Sequence, residues 1–221
     1  MNKIDNLLFD LDGTLIDSRA DLARSINLML ADLDRPPLSE ERVAAFVGDG
    51  VRVLVKRSLT ATDKGNHEPD PPLHARGVEL MHKHYADQML VTTQLFEGVA
   101  ETLRFFESKK KAVVTSKEVK FARIILDHFD ISHCFEVIVG GDTLPARKPD
   151  PGPVIEALKQ LNGAATSAVM IGDSENDILA GKGAGTLTCG LTYGFRTRAR
   201  LAEEHPDVLI DGFGELRQFF I

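Results

Sequence analysis

Apolar positions along the chain fall into two patterns. Short uninterrupted runs stand at 7–9, 112–115, 135–139, 168–171, 186–189 and 208–210. Their continuity predicts strands covered on both faces, as in a parallel sheet, rather than the alternation of a half-exposed sheet. Between the later runs, helical spacing predicts helices over 99–107, 117–128, 153–161 and 176–182. Strand and helix thus alternate, and the expected fold class is α/β, a Rossmann-like parallel sheet.

The alternation is interrupted once. Between the first run and the second the spacing is helical throughout, at 18–33, 39–46, 51–59 and 73–89. Ser18 and Ser39 stand where N-caps are expected, and 63–72, rich in proline and charge, predicts a loop. The expected organisation is an all-helical domain at 16–92 inserted into a core made of 1–15 and 93–221.

Composition narrows the function. The length, 221 residues, suits one core with an insertion. Lys and Arg total 26 against 33 Asp and Glu, a net charge of −7. That charge argues against nucleic acid as a partner, and any anionic substrate must be met by local positive charge. Nothing approaches the roughly 18 consecutive apolar residues of a membrane span. Cys134 and Cys189 are too few for a disulfide framework or a four-thiolate zinc site. The N-terminal residues reach an acid too soon for a signal peptide, so the expected compartment is the cytoplasm. A monomer or homodimer is expected.

In an open parallel sheet, ligands bind outside the carboxyl ends of the strands. Four such ends here supply acids, a hydroxyl and a lysine: Asp10-Leu11-Asp12-Gly13, Thr115-Ser116-Lys117, Arg147-Lys148-Pro149 a little downstream of the third run, and Gly172-Asp173-Ser174-Glu175-Asn176-Asp177. Asp10 and Asp12 point the same way if the chain stays extended, and a divalent cation or a shared proton would relieve their repulsion. The plain alternative is a surface turn, since Asp-Gly is a common turn dipeptide. Asp173 and Asp177 can share a helix face, with helix capping as the plain alternative. Together the two acidic clusters have the oxygen-rich character of a Mg²⁺ site.

The order of these segments resembles the haloacid dehalogenase superfamily over essentially the whole chain. Asp10–Leu15, Thr115, Lys148 and Gly172–Asp177 match its four motifs, and the helical insertion looks like its mobile cap. Phe46-Val47-Gly48-Asp49-Gly50, Val139-Gly140-Gly141-Asp142 and Arg147–Pro151 resemble its phosphoglycolate phosphatase group more closely. The resemblance implies a Mg²⁺-dependent phosphomonoester hydrolase acting on a small phosphorylated metabolite, with 2-phosphoglycolate favoured. It implies that Asp10 is the nucleophile and forms an aspartyl-phosphate, and that Asp12 is the general acid and base. Thr115 and Lys148 would stabilise the phosphoryl charge. Asp10, the backbone carbonyl of Asp12, and Asp173 would hold Mg²⁺. Asp177 would orient Lys148 or a metal-bound water.

Two positions depart from the family pattern: Ser116, where Asn is frequent, and Glu175, where Arg is frequent in this group. Both bear on substrate choice. Another sugar phosphate, a nucleotide or pyrophosphate is an alternative substrate, and a phosphomutase is an alternative activity. Asp12 argues against a dehalogenase, because halide needs no protonation. Within the cap, Gly48, Asp49, Gly50 and Arg52 are expected to meet the remote end of the substrate. The helix beginning near Gly50 offers amide groups and a cation to a carboxylate. Asp49 is expected to cap that helix or to point away.

Overall fold

The computed structural model describes residues 3–221; the first two residues of the expected core lie outside that range. The chain divides into two compact units. One comprises Leu95–Ile221 with the N-terminal segment ending at Asp17, and the other is Ser18–Gln94.

The first unit is built on a six-stranded parallel sheet. Its strands are β1 (Asn6–Phe9), β4 (Lys110–Val114), β5 (Val137–Val139), β6 (Ala168–Gly172), β7 (Leu187–Leu191) and β8 (Val208–Ile210), in the order β5-β4-β1-β6-β7-β8. The sequence is therefore correctly read as α/β. Leu7, Leu8, Phe9, Val113, Val114, Val169 and Ile171 have no exposure at all. Each such side chain contributes about 2 kcal/mol by leaving water. Phe9 anchors the centre, packed edge-on to Phe135 at 6.1 Å and tilted against Phe213 at 5.7 Å.

The helices of this unit are α5 (Val99–Phe105), α6 (Val119–His128), α7 (Gly152–Leu161), α8 (Glu175–Ala184), α9 (Arg198–Ala202) and α10 (Leu216–Phe219). The run at 135–139 yields a strand only from Val137, because Ser132–Cys134 is a 3-10 turn and Phe135 leaves it to pack on Phe9. Two short elements escape the hydrophobic pattern: β2 (Ile16–Asp17) and β3 (Gln94–Leu95), which pair as a separate ladder.

The second unit is helical: α1 (Arg19–Ala31), α2 (Glu40–Ala44), α3 (Val51–Ala61) and α4 (Pro71–Gln88). Its buried residues include Ile26, Met29 and Leu30 of α1, Val55 and Leu59 of α3, and Met81 and Tyr85 of α4. Ser39 caps α2, accepting from the Arg42 amide at 3.3 Å, and Asp70 caps α4, accepting from the Leu73 amide at 2.8 Å. Ser18 occupies the N-cap position of α1 without a side-chain cap bond. The N-terminal end of α1 is instead secured by Asp21, whose carboxylate accepts from the amides and hydroxyls of Thr92 and Thr93 at 2.6–3.1 Å.

Among the described residues, no helix is long and apolar enough to cross a membrane.

Candidate active site

The register of the sheet aligns the candidate residues. Phe9 stands opposite Val113 on one side and Ile171 on the other. Strands β4, β1 and β6 therefore end level, and Asp10, Thr115 and Asp173 emerge along one edge. The Asp10 amide donates to the Ile171 carbonyl at 2.9 Å, and the Thr115 amide to the Val139 carbonyl at 2.9 Å. Both residues thus remain strand-like as they leave the sheet.

Lys148 reaches this edge from the segment before α7, where a cis peptide joins it to Pro149. Its ammonium is buried and makes three contacts: Asp10 Oδ1 at 2.9 Å, Asp177 Oδ1 at 2.5 Å and the Val114 carbonyl at 2.7 Å. Burial alone would lower its pKa, but attraction to Asp10 and Asp177 outweighs burial and raises it, so the group stays charged. A lone lysine in the sequence reads as a solvated side chain; this one is an interior cation shared by two carboxylates.

Asp177 has two roles. Its Oδ2 accepts from the Ser174 amide at 3.1 Å and the Ser174 hydroxyl at 2.6 Å, completing a capping box at the start of α8. Its Oδ1 holds Lys148. The capping and functional readings of this acid are therefore compatible. Asp173 accepts from the Phe195 amide at 2.6 Å and from the Thr14 hydroxyl at 3.4 Å. Gly13 adopts φ +87, and a Cβ there would run into the Asp173 carboxylate. Only glycine therefore allows the turn after Asp12 to pass so close to the acid.

Burial pushes the Asp10 carboxyl up to about 6; Lys148 opposes the rise, and Asp177 and Asp12 add to it. Burial likewise raises Asp173 well above the usual carboxylate range, with further repulsion from Asp10 and Asp177. Carboxylate oxygens of Asp10, Asp173 and Asp177 lie within 4.8 Å of one another. Because Asp177 serves Lys148 and Ser174, Asp10 and Asp173 are the acids best suited to a cation. Two buried, mutually repelling carboxylates form a donor set that fits a hard divalent ion.

Asp12 lies apart from that cluster. Its carboxylate is ion-paired with Lys117 Nζ at 2.7 Å. Thr115 Oγ1 accepts from the Lys117 amide at 3.2 Å, which leaves the hydroxyl proton for an acceptor elsewhere. Ser116 lies between them in the same turn.

The remaining expected residues belong to the helical unit. Gly48, Asp49 and Gly50 precede α3, with Gly50 as its N-cap, and Arg52 is exposed in the first turn. Asp49 is ion-paired with Arg57 at 2.6 Å. Lys56, the other basic group near this helix start, pairs with Glu68 at 2.8 Å.

Several residues of the site are not evident from the motifs. Lys117 is one. The loop 192–196 supplies the others. Tyr193 donates to the Thr14 carbonyl at 2.8 Å and packs on Phe96 at 4.5 Å, Phe195 holds Asp173, and Arg196 pairs with Glu175 at 3.3 Å. This loop follows β7, so the strand-end rule, extended to one more strand, points to it.

The family model for haloacid dehalogenase-like hydrolases matches residues 7–191. The chain belongs to that family, and it is a hydrolase of the phosphatase class. Within the family its similarity is to proteins named phosphoglycolate phosphatase. That of Colwellia psychrerythraea is 38% identical over 212 residues, covering 95% of this chain and 94% of the relative. Phosphoglycolate phosphatase 1 of Pseudomonas aeruginosa is 37% identical, covering 95% and 77%. The crystal structure of a predicted phosphoglycolate phosphatase from Haemophilus somnus superposes with a TM-score of 0.92 at 33% identity, covering 98% and 97%.

Proposed function

We propose that this enzyme hydrolyses 2-phosphoglycolate through phosphoryl transfer to Asp10. The observation that carries the chemistry is the buried Lys148 ammonium bridging Asp10 and Asp177 at the sheet edge, with Asp173 beside them. The names of the relatives at 37–38% identity support the substrate.

In this reading Asp10 attacks phosphorus in line and becomes an aspartyl-phosphate while the P–O bond to the leaving group breaks. Asp12 gives its proton to the departing alkoxide, then takes one from the water that cleaves the intermediate. Lys148 keeps the nucleophile oriented and offsets charge on the phosphoryl oxygens, and Thr115 donates its hydroxyl proton to one of them. Asp177 fixes Lys148. Asp10, Asp173 and the Asp12 carbonyl would hold Mg²⁺, which when bound would neutralise the approach of a carboxylate to a phosphate dianion. In the helical unit, the loop at Gly48 to Gly50 with Arg52 is the proposed reader of the substrate carboxylate; Asp49, neutralised by Arg57, does not oppose it.

The test is phosphate release from a panel of 2-phosphoglycolate, sugar phosphates, nucleotides and pyrophosphate, with Mg²⁺ and with chelator. The expected result is Mg²⁺-dependent release with the highest kcat/KM on 2-phosphoglycolate. A sugar phosphate, nucleotide or pyrophosphate that leads the panel overturns the substrate assignment and leaves the phosphatase chemistry standing.

A further inference from the structure

Lys117 is a charged side chain with only 6% exposure, paired to an Asp12 carboxylate that is 11% exposed. An ion pair this sequestered gives little net stability, because desolvation of both groups offsets their attraction. It does fix geometry. Lys117 engages Oδ1 at 2.7 Å and so sets the rotation of the carboxylate, including the direction of its other oxygen.

Lys117 is itself held. Its amide donates to Thr115 Oγ1, and its carbonyl accepts from the Gly141 amide at 2.8 Å. The Val119 amide donates to Asp142 Oδ1 at 2.9 Å, and Gly140 donates to the Thr143 hydroxyl at 2.9 Å. A Cβ on Gly140 would lie 2.7 Å from the Lys117 carbonyl, and one on Gly141 would strike the Ser116 carbonyl. The turn after β5 is therefore pressed against the turn after β4, and glycines permit the approach. The Gly140-Gly141-Asp142 segment thus has a physical purpose beyond connecting elements: it locks the backbone from which Lys117 projects.

We propose that Lys117 is a positioning residue for Asp12, aiming the carboxylate that exchanges a proton with the leaving group, and that Gly140–Asp142 hold it in place. The inference rests on the acid and base reading of Asp12. Lys117 keeps its own protons throughout: Asp12 carries a proton on its other oxygen when it meets the substrate, gives it to the alkoxide, stands as the carboxylate paired with Lys117 while the intermediate exists, and regains a proton from the attacking water.

The experiment compares Lys117→Met, Asp12→Ala and the double variant on two substrates: 2-phosphoglycolate, an alkyl phosphate, and 4-nitrophenyl phosphate, whose leaving group needs no proton. Lys117→Met is expected to lower kcat/KM, which reports the transfer to Asp10 and not the hydrolysis of the intermediate common to both esters, about tenfold or more on the alkyl ester and by less than about threefold on the aryl ester. It should add nothing in the Asp12→Ala background, since a residue acting through another is silent once that other is gone. Lys117→Arg should recover part of the loss, and Lys117→Gln gives the same comparison should the Met variant fail to fold. Equal losses on both substrates, or a full further loss in the Asp12→Ala background, would each overturn the proposal. A further loss there that lies in KM would mark Lys117 as a ligand for the substrate carboxylate instead. If Asp12→Ala itself fails to distinguish the two esters, the acid and base reading has failed and the inference falls with it. If Asp12→Ala distinguishes them and Lys117→Met does not, the inference alone is lost.

Discussion

Asp10 combines burial, a cationic neighbour and two further carboxylates, and its protonation state governs both catalysis and stability. Asp10→Asn should lower kcat by at least ~10³-fold, because removing a nucleophile from a cooperative set abolishes most of the set's effect. Activity near that of the wild type in a clean preparation would refute the assigned role. The same residue predicts a pH effect in the metal-free protein. Its carboxyl is raised to about 6, above the ~3.9 of an unfolded chain. Between those values the folded form binds more protons than the unfolded form, so this group's contribution to stability falls as pH rises. Asp173 is raised too and acts in the same direction. A divalent ion competes with these protons, so it should stabilise more at pH 7.5 than at pH 5. Thermal unfolding with Mg²⁺ and with chelator at each pH measures this. The expected shift in Tm is larger at pH 7.5 and shrinks in Asp10→Asn; equal shifts at both pH values would contradict a cation held by these carboxylates.

At the scale of elements, Asp21 is a polar residue that ties the helical unit together from inside. Its buried carboxylate receives four groups from Thr92 and Thr93, fixing the start of α1 to the residues that follow α4. Burial works to raise its pKa, but the hydrogen bonds outweigh burial and lower it. Its stabilisation is therefore complete above the usual carboxylate range and is lost as pH falls through the depressed value. Asp21→Ala should cost about 2 kcal/mol, since it leaves the buried amide and hydroxyl of Thr93 unpaired, while the exposed Thr92 groups can turn to water. Thermal unfolding of the variant checks this, and a loss near zero would mean the donors are satisfied elsewhere. No periodicity or motif points to this role of Asp21, because Thr92 and Thr93 are more than 70 residues away; its near partner, Arg24, reads as an ordinary i,i+3 helix pair. The same reason hides the Lys117 pair with Asp12, 105 residues apart. The strands of the sheet are legible because an uninterrupted apolar run needs no knowledge of its neighbours. β2 and β3, two residues each, are too short to show a period, and α9 buries only Leu201. The strand ends bearing Asp10, Thr115 and Asp173 can be found from the strands alone, whereas Lys148 stands well past the end of β5, in the segment before α7. The 192–196 loop could also have been found that way, yet its contributions are mostly backbone groups and a tyrosine, which carry no motif.

For the molecule as a whole, the net charge of −7 sets the terms on which an anionic substrate is received. The site does not override that field by itself. Asp10, Asp12, Asp173 and Asp177 face Lys117 and Lys148, four carboxylates against two ammonium groups. A bound divalent cation would only balance the difference. A phosphate dianion with an added carboxylate thus approaches an acidic protein whose reactive centre is close to neutral. Repulsion from the distant surface charges should dominate the encounter, and salt screens such charges once the Debye length falls to ~10 Å near 0.1 M. Raising KCl from about 20 to 200 mM at constant Mg²⁺ should therefore raise kcat/KM for 2-phosphoglycolate modestly, about 1.5–3-fold. The gain should come through KM. The Lys148 contacts are buried, salt reaches them poorly, and kcat should hold constant. A steep fall in kcat/KM with salt would mean the opposite balance: exposed cations such as Arg52 would be drawing the substrate in, outweighing the acidic surface.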